Sequence, residues 1–88
     1  MQIEFTRKFQ KQIDSCTDKR IKLKIAEIIR EIIRTESMIG FNNLKKLAGY
    51  KNSYRIRLGQ YRIGITIDKE TVIFAAFDHR SAIYKYFP

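Results

Sequence analysis

The sequence predicts an α+β domain. An N-terminal strand and a two-helix hairpin pack on one face of a mainly antiparallel sheet that contains a three-strand meander. Ile21, Ile25, Ile28, Ile29, Ile32 and Ile33 recur at helical spacing. From Tyr54 to Ile67, apolar and polar residues alternate on both sides of Gly59-Gln60, the pattern of a hairpin. Thr71 to Phe77 is apolar throughout, as in a central strand covered on both faces.

Taken in order, Gln2 to Phe5 is a short strand with Ile3 and Phe5 on one side. Thr6 suits a helix N-cap, because its hydroxyl can accept from an otherwise unpaired amide of the first turn. Phe9, Ile13 and Cys16 then mark one face of a helix that ends near Ser15. Cys16 reads as a small buried hydrophobe at that helix end, since only one histidine exists to activate a thiol. Thr17-Asp18 offers the second N-cap. Opposite the isoleucine stripe lie Lys24, Glu27, Arg30, Glu31 and Arg34, with opposite charges paired as Glu27–Arg30 and Glu31–Arg34. Leu23 departs from the stripe and is either exposed or set against a partner. Two amphipathic helices predict an antiparallel pair on one sheet face, with the other face free for a ligand.

Thr35 to Gly49 is the least regular stretch. Leu44 and Leu47 suggest one helical turn, with Lys45 and Lys46 pointing away from the core, either solvated or in contact with phosphate. The hairpin follows as Ser53–Leu58 and Tyr61–Ile67. Gly59 in the first turn position suits a II′ turn. Arg57 then faces Arg62 and Arg55 faces Gly64, so three arginines share one face, with open space beside Gly64 and Thr66. Tyr54, Ile56, Leu58, Tyr61, Ile63 and Ile65 share the other, which is a core face. Asp68-Lys69-Glu70 is a turn and Thr71–Phe77 the third strand. Asp78-His79-Arg80-Ser81 leaves that strand, and Ala82, Ile83, Tyr84 and Tyr86 form a tail that is helical or extended.

The 88 residues make one domain, residues 1–88, with 44% apolar residues and a net charge of +9. No acidic residue occurs from Ser37 to Ile67, where Lys45, Lys46, Lys51, Arg55, Arg57 and Arg62 all fall. Such a cluster is expected to meet a polyanion. A strand pair rather than an amphipathic helix carries it, which favours nucleic acid over a membrane surface. A single cysteine forms no internal disulfide and fits a reducing cytoplasm. No run is long enough for a membrane span, and Met1-Gln2-Ile3-Glu4 enters patterned sequence without a signal peptide.

One His and one Cys cannot build a zinc site, and no glycine-rich phosphate loop or Ser/His/Asp pattern is present. Neither a metal nor a cofactor is expected. What remains, Arg55, Arg57, Arg62, His79, Arg80 and Tyr84, suits RNA phosphodiester cleavage. The RNA supplies its own nucleophile, the 2′-hydroxyl. Arginines stabilise phosphorane charge through bidentate contact. Histidine is the side chain whose ordinary titration lies near neutrality, so His79 could carry a proton. Tyr84 could bond the nucleophile or stack on a base.

These residues also carry a resemblance. Leu44-Lys45-Lys46-Leu47, then Tyr54-Arg55-Ile56-Arg57-Leu58-Gly59-Gln60-Tyr61-Arg62, then His79-Arg80-Ser81-Ala82-Ile83-Tyr84 resemble the RelE/ParE toxins of type II toxin–antitoxin systems, on the RelE branch. The resemblance covers nearly the whole chain. It implies a RelE-like fold and a ribosome-dependent endoribonuclease that cleaves mRNA in the ribosomal A site. It also implies a small antitoxin partner, a monomer or toxin–antitoxin hetero-oligomer, and contacts with ribosomal RNA. By position it implies catalytic roles for Arg62, Arg80 and Tyr84, with His79 beside them. It implies phosphate binding by Arg55 and Arg57, to which the sequence adds Lys45, Lys46 and Lys51. Some relatives carry lysines where this chain has Arg55 and Arg57. Arginine does not release its proton, so any base role moves to His79 or Tyr84. The spacing from Arg80 to Tyr84 is shorter than in some relatives. A ParE-like gyrase inhibitor without catalysis and a non-toxic binding protein are the competing functions.

Overall fold

The hairpin centred on Gly59-Gln60 forms in the register that its alternation dictates. In the computed structural model, which describes residues Met1–Pro88, β1 (Gln2–Phe5), α1 (Arg7–Ser15), α2 (Lys19–Arg34), β2 (Leu44–Lys46), β3 (Ser53–Leu58), β4 (Tyr61–Asp68), β5 (Thr71–His79) and α3 (Arg80–Ile83) follow in order. Leu58 pairs with Tyr61, Arg57 with Arg62 and Arg55 with Gly64. Gly59 takes φ +60° while Gln60 stays at negative φ, which is the II′ arrangement.

The sheet has five strands in the order β1-β5-β4-β3-β2. β1 runs parallel to β5, and every other pairing is antiparallel. One face carries the main core. Ile56, Ile63, Ile65, Val72, Phe74 and Phe77 meet Phe9 of α1 and Ile21, Ile25 and Ile32 of α2 there. Of the α2 stripe, Ile28 and Ile29 are half-buried, whereas Ile33 turns outward and is 50% exposed. Leu23 is exposed too. Both helices start where expected. The Thr6 hydroxyl accepts from Phe9 N–H, and the Asp18 carboxylate accepts from the Arg20 and Ile21 N–H groups. No helix is long and apolar enough to cross a membrane.

A β-bulge shapes β5. Gly64 pairs with Ala76 and Ile65 with Phe74, which leaves Ala75 as an extra residue. Without it Phe74 and Phe77, three apart, would point to opposite faces. With it both enter the main core. β1 ends at Phe5, opposite Phe74, so the β5 edge beyond has no strand beside it. Side chains satisfy that edge instead. The Thr6 hydroxyl donates to the Phe74 and Ala75 carbonyls, and Gln12 Oε1 accepts from Phe77 N–H.

Three expectations are corrected. Leu44 to Lys46 is a strand paired with β3, not a helical turn. Leucines three apart fit either conformation locally, and pairing with an existing edge decides. The third strand does not end at Phe77, because Asp78 pairs with Arg62 and His79 with Tyr61 before α3 begins. The face opposite the helices is not free along its length. Leu47, Ala76, Ile83 and Phe87 form a second buried cluster on it. β5 is therefore covered on both sides, as its apolar run requires.

Candidate functional site

Two cross-strand rows build the basic face. In one, Lys45 of β2, Arg55 of β3, Gly64 of β4 and Ala76 of β5 stand side by side. In the next, Arg57, Arg62 and Asp78 do. Facing residues share a side of the sheet, so β2 adds Lys45 to the arginine face. Lys46 pairs with Tyr54 on the opposite alternation, and its ammonium donates to the Tyr50 carbonyl at 2.8 Å.

These residues surround one cleft of about 510 Å³. Lys45, Lys46, Arg55, Arg57, Arg62 and Tyr84 line it, together with Asn43, Leu44, Leu47 and Ala48. It has no carboxylate in its wall. A larger cleft, about 670 Å³, lies between α1 and the end of β5, includes Arg7, Lys8, Lys11 and Asp78, and shares no lining residue with the basic cleft.

Each arginine in the basic cleft is held by an oxygen that carries no formal charge. Arg57 Nη2 donates to Asn43 Oδ1 at 3.3 Å. Arg62 Nη1 donates to the Gly59 and Tyr61 carbonyls, both at 2.8 Å. Arg55 Nη2 donates to the Phe87 carbonyl at 3.0 Å, and its guanidinium carbon lies 4.1 Å from the centre of the Tyr84 ring. Such acceptors orient a guanidinium without cancelling its charge, which leaves the remaining N–H groups for a phosphate. Arg55 Nε is buried without a partner. An unmet buried donor costs about 1–3 kcal/mol, so a local cost accompanies this placement.

The open space expected beside Gly64 is filled by the Phe87 ring. A Cβ on Gly64 would lie 2.6 Å from that ring. Only glycine permits this approach.

The cleft brings together Arg55, Arg57, Arg62, Lys45, Lys46 and Tyr84, and leaves out Lys51, His79 and Arg80. Lys51 is exposed outside it. His79 pairs with Tyr61, whose ring stacks on Phe77 at 5.0 Å, so His79 follows the core-face alternation. Its Nδ1 accepts from Ser81 N–H at 3.3 Å and contacts Ser81 Oγ at 2.9 Å, which makes it the N-cap of α3. Arg80 is exposed, and its backbone N–H donates to the Gln60 carbonyl at 2.8 Å.

The tail is fastened at a second point, which residue types alone did not reveal. Tyr86 OH donates to Asp78 Oδ2 at 2.8 Å and accepts from Gln12 Nε2 at 2.6 Å. Lys8 Nζ lies 3.7 Å from the centre of the same ring. Burial pushes the Tyr86 phenol up to about 12, and the Asp78 carboxylate adds to the rise, while the Gln12 hydrogen bond opposes it. The tyrosine–aspartate pairing spans eight residues, and nothing in the local sequence marks it.

A family model described as the ParE toxin of the type II toxin–antitoxin system parDE matches residues 3–84. The chain is 41% identical over 89 residues to Toxin RelE3 from Methanocaldococcus jannaschii, covering 100% of each. Among solved structures it is similar to a chain of the RelB–RelE antitoxin–toxin complex from Methanococcus jannaschii. The TM-score is 0.83 at 39% identity, covering 97% of this chain and 99% of that one. The YoeB dimer from Staphylococcus aureus shares the fold, with a TM-score of 0.72 at 21% identity over 91% of this chain and 97% of that one.

Proposed function

The chain belongs to the RelE/ParE toxin superfamily, and on that premise we propose that it is a RelE-like toxin that cleaves messenger RNA on the ribosome and so stops translation. The observation that carries this reading is the cleft in which Arg55, Arg57, Arg62, Lys45, Lys46 and Tyr84 converge with no carboxylate. A protein that only docked on another protein would gain little from so many uncompensated cations around one concavity.

In this mechanism the 2′-hydroxyl attacks the adjacent phosphorus and the 5′-oxygen leaves. Arg57 and Arg62 stabilise the charge that builds on the phosphorane oxygens. Arg55 binds the flanking phosphate. Arginine does not give up its proton near neutrality, so proton transfer falls to the groups on the arginine face that can, Lys45 and Tyr84. His79 is engaged as a cap, and Arg80 stands outside; both support the site's frame from the β5–α3 junction. Outside the cleft, Lys51 meets nucleic acid only as a peripheral charge. No metal or cofactor takes part.

The proposed partners are a small antitoxin, as in the RelB–RelE complex that the fold resembles, and ribosome-bound mRNA with neighbouring ribosomal RNA. The proposed compartment is the cytoplasm. The family model's description names a ParE toxin, which keeps open a second reading, a ParE-like inhibitor of DNA gyrase without catalysis. Controlled expression with mapping of mRNA 5′ ends and a gyrase assay separates the two. Cleavage inside codons, lost in Arg62→Ala protein that still folds, supports the nuclease. Growth arrest with intact messages and inhibited gyrase overturns it.

A further inference from the structure

We propose that Phe87 is a positioning residue for the cleft: seated in the notch at Gly64, it fixes where the Arg55 guanidinium and the Tyr84 ring stand. The functional half of this inference rests on the nuclease reading above.

Three observations meet at this residue. Its side chain is 7% exposed, within the cluster formed with Leu47, Ala76 and Ile83. The ring sits directly on Gly64, whose own neighbour in the row is Arg55. The Phe87 carbonyl accepts from Arg55 Nη2 at 3.0 Å. One residue thus anchors the tail through its ring and holds an arginine through its backbone. Between its two anchors, Ile83 and Phe87, the tail presents Tyr84, 66% exposed, with its ring against the same guanidinium. The matched family stretch stops at residue 84, so Phe87 lies outside it.

The geometry also says why the arginine needs holding. Arg55 is flanked by Lys45 on one side and by Gly64 on the other, so no carboxylate of its row restrains it. Its Nε is buried without a partner. With the ring out of the notch, the carbonyl and the Tyr84 face would both withdraw. The guanidinium would then be free to rotate toward water and satisfy that donor. Loss of Phe87 is therefore expected to relax Arg55 rather than to unfold the sheet, whose main core lies on the other face.

Two substitutions test this. Phe87→Ala empties the notch, and Gly64→Ala adds a methyl that the ring cannot share. The first readout is NMR of the Arg55 side-chain Nε–H, expected to be displaced upfield by the Tyr84 ring and to return to an ordinary position in both variants. The second is cleavage of a short mRNA on purified ribosomes. There kcat is expected to fall about 10²-fold, the scale of a 1 Å misplacement, with KM changing less. Gly64→Ala combined with Phe87→Leu, which makes room for the methyl, should recover part of both. Ile28→Ala, a destabilising change in α2 far from the notch, should lower the melting temperature and leave both readouts alone.

An unmoved Arg55 signal in Phe87→Ala overturns the proposal. So does a moved signal with unchanged kcat, or a loss of cleavage that merely tracks stability as in Ile28→Ala. Should Gly64→Ala fail to fold, Phe87→Ala decides alone. Wild-type protein that cleaves no message overturns the nuclease reading instead, and the Arg55 signal then judges the positioning by itself.

Discussion

On the helix-covered face of the sheet, Ile56, Ile63, Ile65 and Phe74 are each at most 1% exposed. Their sequence neighbours Arg55, Arg57 and Arg62 keep contact with water on the other. The same strands supply both faces, but different forces hold them. The core face relies on apolar burial, which has no direction and depends on volume. The basic face relies on directed hydrogen bonds from guanidinium groups to amide oxygens, which place charge without neutralising it. Damage to the first face should appear in stability, and damage to the second in activity.

Phe74→Ala should break the first face most severely. Its ring packs within 5.4 Å of both Phe5 and Phe9, and its loss should cost about 3–5 kcal/mol. Urea denaturation measures this, and a cost below about 1 kcal/mol would show that the face is not the main core. Arg62→Ala should do the reverse. Cleavage should fall about 10²–10³-fold, the scale of losing one preorganised charge donor, with little change in melting temperature. A variant that lost stability instead would make Arg62 a clamp for the Gly59 turn, to whose carbonyls it donates.

Asp18→Ala removes the cap of α2 and should cost about 1 kcal/mol without touching cleavage. A paired loss of cleavage would mean the helices reach the cleft.

The tail adds a pH term of known sign. The Tyr86 phenol is raised from 10.0 to about 12 in the folded protein, so folding favours its neutral form. That stabilisation is fully present below pH 10 and is lost as pH rises through about 12. Wild-type protein should therefore lose stability relative to Tyr86→Phe between pH 10 and about 12. Parallel denaturation midpoints across that window would count against the Asp78–Tyr86 latch. Lys51→Ala should change least, within about 0.5 kcal/mol of wild type, and should leave kcat unaltered, because Lys51 is exposed outside the cleft.

Much of this was legible in the residues. The arginine face followed from alternation and a two-residue turn, because pairing in a tight hairpin leaves one register for each turn type. The α2 stripe followed from its period. The segment that brings Lys45 to this face was misread as a helical turn, since Leu44 to Lys46 becomes a strand only against β3. His79 stood close to Arg80 and Tyr84 in sequence, yet strand alternation sends it to the other side from the cleft. The bulge at Ala75 leaves no mark in composition, although it decides that Phe74 and Phe77 share a core.

The sequence by itself determined the faces, because periodicity and turn chemistry act between residues a few positions apart. Only the tertiary structure decided what stands on them. The parallel pairing of β1 with β5 joins residues almost seventy positions apart. The meeting of Arg55 with Tyr84 and Phe87 spans about thirty. Such contacts depend on which surfaces remain uncovered after the core closes, and no local pattern encodes that. Gly64 shows the limit. In the sequence it is a gap beside three arginines, and in the fold it is the seat of the residue that holds one of them in place.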